Sequence, residues 1–260
     1  MHSTAYDYIE YPPGKTLERY IKLFYYFQGY SALPERILPL GTTEISIRLP
    51  PEEPTVLLTN PGTRSYFVIP QTLNRMIGIC LQPWGLYDLF HVSPSEITNS
   101  KFLLRDVLRT TSDELTRQIQ NLTTPGGMVS ALRQYLLGQT TATKHDMICD
   151  AVRFINRHHG QIDLPNFYDR YPLSRRRIQQ LFECTIGMSP KKYSQLKRFH
   201  FAVTQLNKNS SLTELALNTG YYDQPHFIHE FSSFAGVAPR HFLKESNLLN
   251  AINAATWFDK

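Results

Sequence analysis

Two stretches of this 260-residue chain crowd together groups that can meet a charged or hydrogen-bonding partner. Residues 171–208 hold eight basic side chains (Arg175, Arg176, Arg177, Lys191, Lys192, Lys197, Arg198, Lys208) and one acid, Glu183. Leu212–Phe242, LTELALNTGYYDQPHFIHEFSSFAGVAPRHF, carries amide and imidazole groups at Gln224, His226 and His229. A one-sided cationic surplus suits a surface that faces a polyanion. The surplus is local. Residues 1–144 hold 13 Lys and Arg against 12 Asp and Glu, whereas 145–245 hold 13 against 9.

Other chemistries find less support. His158-His159 and His226-x-x-His229 are the closest histidine pairs, and no cysteine or carboxylate cluster completes a zinc-like set. No metal, cofactor or catalytic residue is expected. The chain contains no G-x-S-x-G, H-E-x-x-H or P-loop pattern, so it does not read as an enzyme. Glu52-Glu53 lies among prolines and reads as a solvated loop. The aromatic run Phe24–Phe27 with Trp84 suits core packing, and Tyr25, Phe27 and Trp84 are also the candidates for an apolar effector cavity. Cys80, Cys149 and Cys184 are too few and too scattered for a disulfide framework, which points to reduced thiols. The N-terminus MHSTAYDYIEYPPGK has no basic-then-apolar leader, and no run approaches the ~18 apolar residues of a membrane span. A cytoplasmic protein without membrane partners is expected.

The basic and amide groups need helices to present them. Leu212, Leu215 and Ala216 form one apolar face, and Phe227, Phe231 and Phe234 form another, with Gly220 between them for a sharp turn. That is a helix-turn-helix pattern whose second helix shows Gln224, His226 and His229 outward. Upstream, the sequence predicts helices over 146–159, Ile162–Tyr171, Arg175–Cys184 and Pro190 to about Asn207. Ser174 N-caps the third, with Ile178, Leu181 and Phe182 inward and arginines and glutamines outward. Ser210 or Ser211 caps the Leu212 helix. The result is two helix-turn-helix units joined by a long helix, an internal near-repeat of about 47 residues (Ser174 against Tyr221). Each unit ends in Gly-x-x-Pro, at Gly187–Pro190 and Gly236–Pro239. Two equivalent polar-faced helices suit successive major grooves of duplex DNA, about 34 Å apart.

Ahead of these lies β texture. Recurring prolines exclude long helices across most of 1–75. Strands are expected at Ile21–Tyr30, Glu44–Leu49, Thr55–Thr59, Tyr66–Ile69 and Arg75–Leu81. Helices follow at Pro83–Phe90, from Ser93, over Asp113–Leu122 and over Met128–Gly138, with Thr123–Gly127 breaking the last two. The fold class is therefore α+β: an N-terminal small β-sheet or barrel-like domain with helices (1–138), a linker (139–144), an all-α domain (145–245) and a tail (246–260).

Residues 145–245, about 100 of 260, resemble the DNA-binding domain of AraC/XylS-type bacterial transcription regulators. The resemblance rests on Leu173-Ser174, Leu181-Phe182, Gly187-x-Ser189-Pro190-x-x-Tyr193, Leu215-Ala216, Gly220-Tyr221-Tyr222-Asp223-Gln224, His226-Phe227, Phe231 and Gly236-x-x-Pro239. It implies base-edge contacts from Arg176, Gln179 and Gln180 in the first unit and from Gln224 and His229 in the second. It implies phosphate contacts from Arg175, Arg177, Lys191, His226 and Arg240. The chemistry fits, because Gln pairs bidentately with adenine and Arg with guanine. Double-stranded DNA, a small-molecule effector, a homodimer and, for an activator, RNA polymerase are the implied partners. The first unit departs from the family with Tyr168 at the usual small crossing residue and Pro172 at the usual glycine. A tyrosine there should force the helices apart or point outward. Pro225 fits only within the first turn of its helix. The N-terminal part is similar to the small sensory or dimerisation domains of such regulators, through a Tyr-x-Pro entry and the Gly41-Thr42-Thr43-Glu44-Ile45 strand. The alternative is a ligand-binding or enzymatic N-terminal domain with a helical interaction module that no longer reads DNA.

Overall fold

The computed structural model describes residues 5–30, 35–49, 54–59, 62–68, 74–97, 101–140, 146–208 and 211–245. The tail at 246–260 and most of the linker lie outside them. In chain order the elements are β1 (Ala5–Tyr11), β2 (Ile21–Tyr30), β3 (Glu35–Ile37), β4 (Glu44–Arg48), β5 (Thr55–Thr59), β6 (Tyr66–Val68), β7 (Asn74–Leu81), α1 (Gly85–Phe90), a 3-10 turn at Pro94–Ile97, β8 (Lys101–Leu103), α2 (Leu104–Val107), α3 (Arg109–Ile119) and α4 (Pro125–Leu137). Then come α5 (Asp146–Arg157), α6 (Leu164–Asp169), α7 (Arg175–Ile186), α8 (Pro190–Gln205), α9 (Leu212–Asn218), α10 (Gln224–Ala235) and α11 (Pro239–Phe242). They form two compact units. One comprises 1–34, 42–61 and 69–144; the other comprises 35–41, 62–68 and 145–260.

The first unit is an antiparallel sheet in the order β1-β2-β7-β4-β5-β8. Its alternation is legible in register. Tyr11, Phe24, Ile79, Ile45, Leu58 and Phe102 lie side by side across all six strands. Because side chains alternate between faces, this row and its neighbour Tyr26-Ile77-Ile47-Val56 point to one side. There they pack with Leu86 and Leu89 of α1, Leu115 and Ile119 of α3, and Val129, Leu132 and Leu136 of α4. The opposite face carries Tyr25, whose ring lies over Gly78: a Cβ there would sit 1.9 Å from the ring. The Tyr25 hydroxyl donates to Glu44 Oε1 at 2.7 Å.

Three strands add to the five expected. β3 and β8 are too short, at three residues each, to show alternation. β1 pairs along its whole length with β2. The helix expected from Ser93 is a 3-10 turn, and that expected from Met128 starts at Pro125 instead. Thr124 Oγ1 accepts the Gly127 N–H there, and proline at the first position has no N–H to leave unpaired, so the Thr-Pro-Gly-Gly run begins α4.

In the second unit β3 and β6 form a two-stranded ribbon, the arm, which belongs with helices α5–α11. Leu38 on the arm is fully buried, and His200 Nε2 of α8 donates to the arm's Pro39 carbonyl at 2.7 Å. Tyr193, Leu196 and Phe199 of α8, Phe167 of α6, Phe182 of α7 and Phe227, Phe231 and Phe234 of α10 fill the helical core.

Candidate nucleic-acid interface

The two exposed helices are built alike. Each has 12 residues. Ser174 Oγ accepts the Arg177 N–H and Asp223 Oδ1 accepts the His226 N–H, so both start on a side-chain cap. Both end on a left-handed glycine, Gly187 at φ 82 and Gly236 at φ 75. Caps and glycines are each 49 residues apart, which corrects the spacing of about 47 read from Ser174 and Tyr221. Pro225 occupies the first turn of α10, where it costs no hydrogen bond. Ser189 caps α8 and Ser211 caps α9.

The first unit presents Arg175, Arg176, Arg177, Gln179 and Gln180, all exposed, from α7. Gln179 Nε2 also donates to the Tyr168 hydroxyl at 3.3 Å. Tyr168 neither points outward nor stands idle: it is 7% exposed, packs edge-on to Phe167 and bridges α6 to α7. The reason is amphipathic. The ring joins the Phe167–Phe182 cluster while the hydroxyl reaches the rim, where its polar demand is met. Residues 169–174 turn without any positive φ, as Pro172 requires. Asp169 lies 3.8 Å from Arg175, with both side chains exposed.

The second unit presents less. His229 is exposed. Gln224 is half-buried, its Oε1 accepting from Thr213 Oγ1 at 2.7 Å. His226 is half-buried: its Nδ1 accepts the Tyr222 N–H at 3.4 Å and its Nε2 lies 3.8 Å from Glu230. Tyr222, just before the cap, is 86% exposed.

The basic surplus divides into two kinds. Arg175–Arg177, Lys191 and Lys208 are exposed. Lys192, Lys197 and Arg198 are turned inward. Lys192 Nζ sits 4.2 Å over the Phe234 ring, and burial lowers its pKa. Arg198 grips Glu230 with Nε and Nη2 at 2.8–3.1 Å, donates Nη1 to the Gly220 carbonyl at 3.2 Å and lies 4.5 Å over the Tyr221 ring. Tyr221 is pushed well above its ordinary pKa, first by burial and then by Glu230. Arg240 is exposed, donates Nη1 to the Lys208 carbonyl at 3.2 Å and shares with Lys208, Leu243 and Lys244 an open cleft of about 680 Å³.

Among the described residues, no three His, Cys, Asp or Glu side chains group to hold a metal, and no helix is long and apolar enough to cross a membrane. Tyr25 and Phe27 share the sheet face opposite the helices, since their cross-strand partners Gly78 and Met76 alternate together. Trp84 is buried elsewhere, its indole donating to the Arg19 carbonyl at 2.8 Å. The structure therefore does not gather the three around one another. Sequence reasoning missed Arg198 as a structural group, and also the arm.

The helix-turn-helix domain model matches residues 169–245. Residues 169–245 therefore form a helix-turn-helix domain. A second model, a domain of unknown function (DUF6597), matches residues 9–102. No curated protein matches the sequence. Among solved structures, the 1.65 Å structure of ToxT from Vibrio cholerae is 10% identical, covering 93% of this chain and 98% of that one at a TM-score of 0.43. The same protein with an unsaturated fatty acid bound is 8% identical, covering 94% and 96% at 0.40. The xylose-binding transcription activator XylR is 16% identical, covering 45% of this chain and 37% of that one at 0.34. None is near enough to transfer a site or a ligand.

Proposed function

We propose that this chain is a DNA-binding transcription regulator of the AraC/XylS type, which reads duplex DNA with α7 and α10 in successive major grooves. The observation that carries this reading is the pair of equal-length, side-chain-capped, glycine-terminated helices at a 49-residue offset, both polar outward, on either side of α8. Arg176, Gln179 and Gln180 read base edges from α7, and Gln224 and His229 read them from α10. Arg175, Arg177, Lys191 and Arg240 meet phosphates, Arg240 together with Lys208 and Lys244 of its cleft. His226, committed to Tyr222 and Glu230, holds the N-terminal turn of α10 behind that contact. The N-terminal sheet unit is the sensory or dimerising part, with Tyr25 and Phe27 on its candidate effector face.

Footprinting the full chain on the DNA upstream of its own gene tests this. Two protected segments about one helical turn apart are expected. Affinity should fall steeply between two salt concentrations, because neutralised phosphates release counterions. A single protected segment, or equal affinity for the upstream and a random duplex, would overturn the reading.

A further inference from the structure

The second recognition helix is finished by residues that lie far away in sequence. Arg36, in the middle of β3, is 5% exposed. Its Nε and Nη2 donate to the two carboxylate oxygens of Glu245 at 2.8 and 2.7 Å. Its Nη1 donates to the carbonyl of Ala235, the last residue of α10, at 2.8 Å. Ser65, just ahead of β6, adds two bonds: its hydroxyl donates to the same carbonyl at 2.7 Å, and its N–H donates to the Phe234 carbonyl at 2.9 Å. The guanidinium lies 4.4 Å over Phe67, the residue opposite Arg36 in the ribbon. The last carbonyls of a helix have no partners within it, and that end of the macrodipole favours a cation. Arg36 supplies both the donors and the charge. At Gly236 a Cβ would come within 3.0 Å of Arg36 Nη1 and Ser65 Oγ, so the fit is close.

We propose that Arg36 is a positioning residue for DNA reading, and that the arm is a working part of the second helix-turn-helix unit. Fixing the C-terminal turn of α10 sets the axis along which Gln224 and His229 reach the bases. The helix end that these contacts hold is that of α10, so the effect belongs to the second half-site. This rests on the DNA reading proposed above.

The test uses the full chain with Arg36→Ala, Arg36→Lys and Ser65→Ala. Ser65→Ala keeps the ion pair, and with it the fold, while removing one donor from Ala235. Footprinting should show protection lost first at the α10 half-site and kept at the α7 half-site. Discrimination should fall about tenfold for Arg36→Ala, as when one bidentate base contact is lost. The salt slope should stay unchanged, because Arg36 neutralises no phosphate. Arg36→Lys, which keeps charge but not the fork, should fall between Arg36→Ala and the unsubstituted chain. Amide hydrogen exchange gives a readout independent of DNA: faster exchange is expected at Ser232–Gly236 and unchanged exchange in α7. Equal loss at both half-sites in folded protein, a slope smaller by about one, or unaltered exchange in α10 would each overturn the proposal. Should the unsubstituted chain protect no duplex, the DNA reading falls and this proposal with it. An intact wild-type footprint with unaltered variants overturns the proposal alone.

Discussion

The two helix-turn-helix units share length, caps and terminal glycines, yet solve the same packing problem with opposite means. The first crosses its helices over a buried tyrosine, turns through Pro172 without a positive φ and spends little on internal ion pairs. Its exposed α7 face keeps three arginines and two glutamines. The second crosses over fully buried Ala216, turns at Gly220 with φ 81 and is locked by Arg198, Glu230 and Tyr221, with the arm at its far end. Its outward face is correspondingly sparse. An exposed cationic face suits a polyanion, and Arg175 keeps its place there although Asp169 lies 3.8 Å away. A helix with few exposed polar groups depends on holding those few in place. The first unit is thus built for charge and the second for orientation.

The sharpest way to break this contrast is Arg198→Ala. Glu230 is only 5% exposed, and removing its partner leaves a buried carboxylate and an orphaned Gly220 carbonyl. A loss of about 3–5 kcal/mol is expected in urea unfolding. Gln179→Ala, which removes the inter-helix bond of the first unit, should cost at most about 1 kcal/mol, since that bond lies at a rim. Comparable losses would show that both units depend equally on internal polar networks.

Next in size are the turns. Gly220→Ala places a Cβ at φ 81, a conformation that costs an L-residue roughly 1–2 kcal/mol. The Cβ also meets Gln161 Cγ at 2.6 Å, a flexible neighbour that can move. Pro172→Gly demands no such strain. It loosens only the unfolded chain's restriction, worth about 0.4–1 kcal/mol. Calorimetry should therefore find Gly220→Ala the larger shift, and a reversed order would remove the distinction between the turns.

How much of this could be read from sequence follows from range. Ser174, the Ser210–Ser211 pair and Pro225 declare themselves because a cap or first-turn proline is decided within three or four residues. The rows of Ile45, Ile47, Ile77 and Ile79 show as alternation for the same reason. The expectation that Tyr168 points outward fails because its ring packs against Phe167 and its hydroxyl meets Gln179 of the next helix. Arg198 looks like one more cation of a basic face until Glu230, 32 residues on, is placed beside it. Arg36 is 209 residues from Glu245, and no local pattern in Glu35–Ile37 announces a helix terminus as its partner. The exposed polar side chains of α7 are legible because exposure on an amphipathic helix is itself a local property. Gln224 and His226 were only half so, because Thr213, Tyr222 and Glu230 engage them from a neighbouring helix, turn or turn of helix.

The smallest expected effect concerns alkali, and it separates the units by their tyrosines. In the first unit the Tyr171 hydroxyl donates to Asp150 at 3.0 Å. Burial, then that bond and the Asp150 charge, push its pKa from 10.0 to about 12. In the second, Tyr221 is raised further, by deeper burial and Glu230. Folding raises both values, so each contribution is whole below about pH 10, and that of Tyr171 is lost as pH passes about 12. Tyr171 should therefore ionise in the folded chain before Tyr221 does. A difference titration by phenolate absorbance, comparing the chain with Tyr171→Phe, should lose a step near pH 12, while circular dichroism shows less helix lost at that pH in the variant. If the two titrations superimpose, Tyr171 does not couple the first unit to pH, and the contrast rests on Arg198 and the turns.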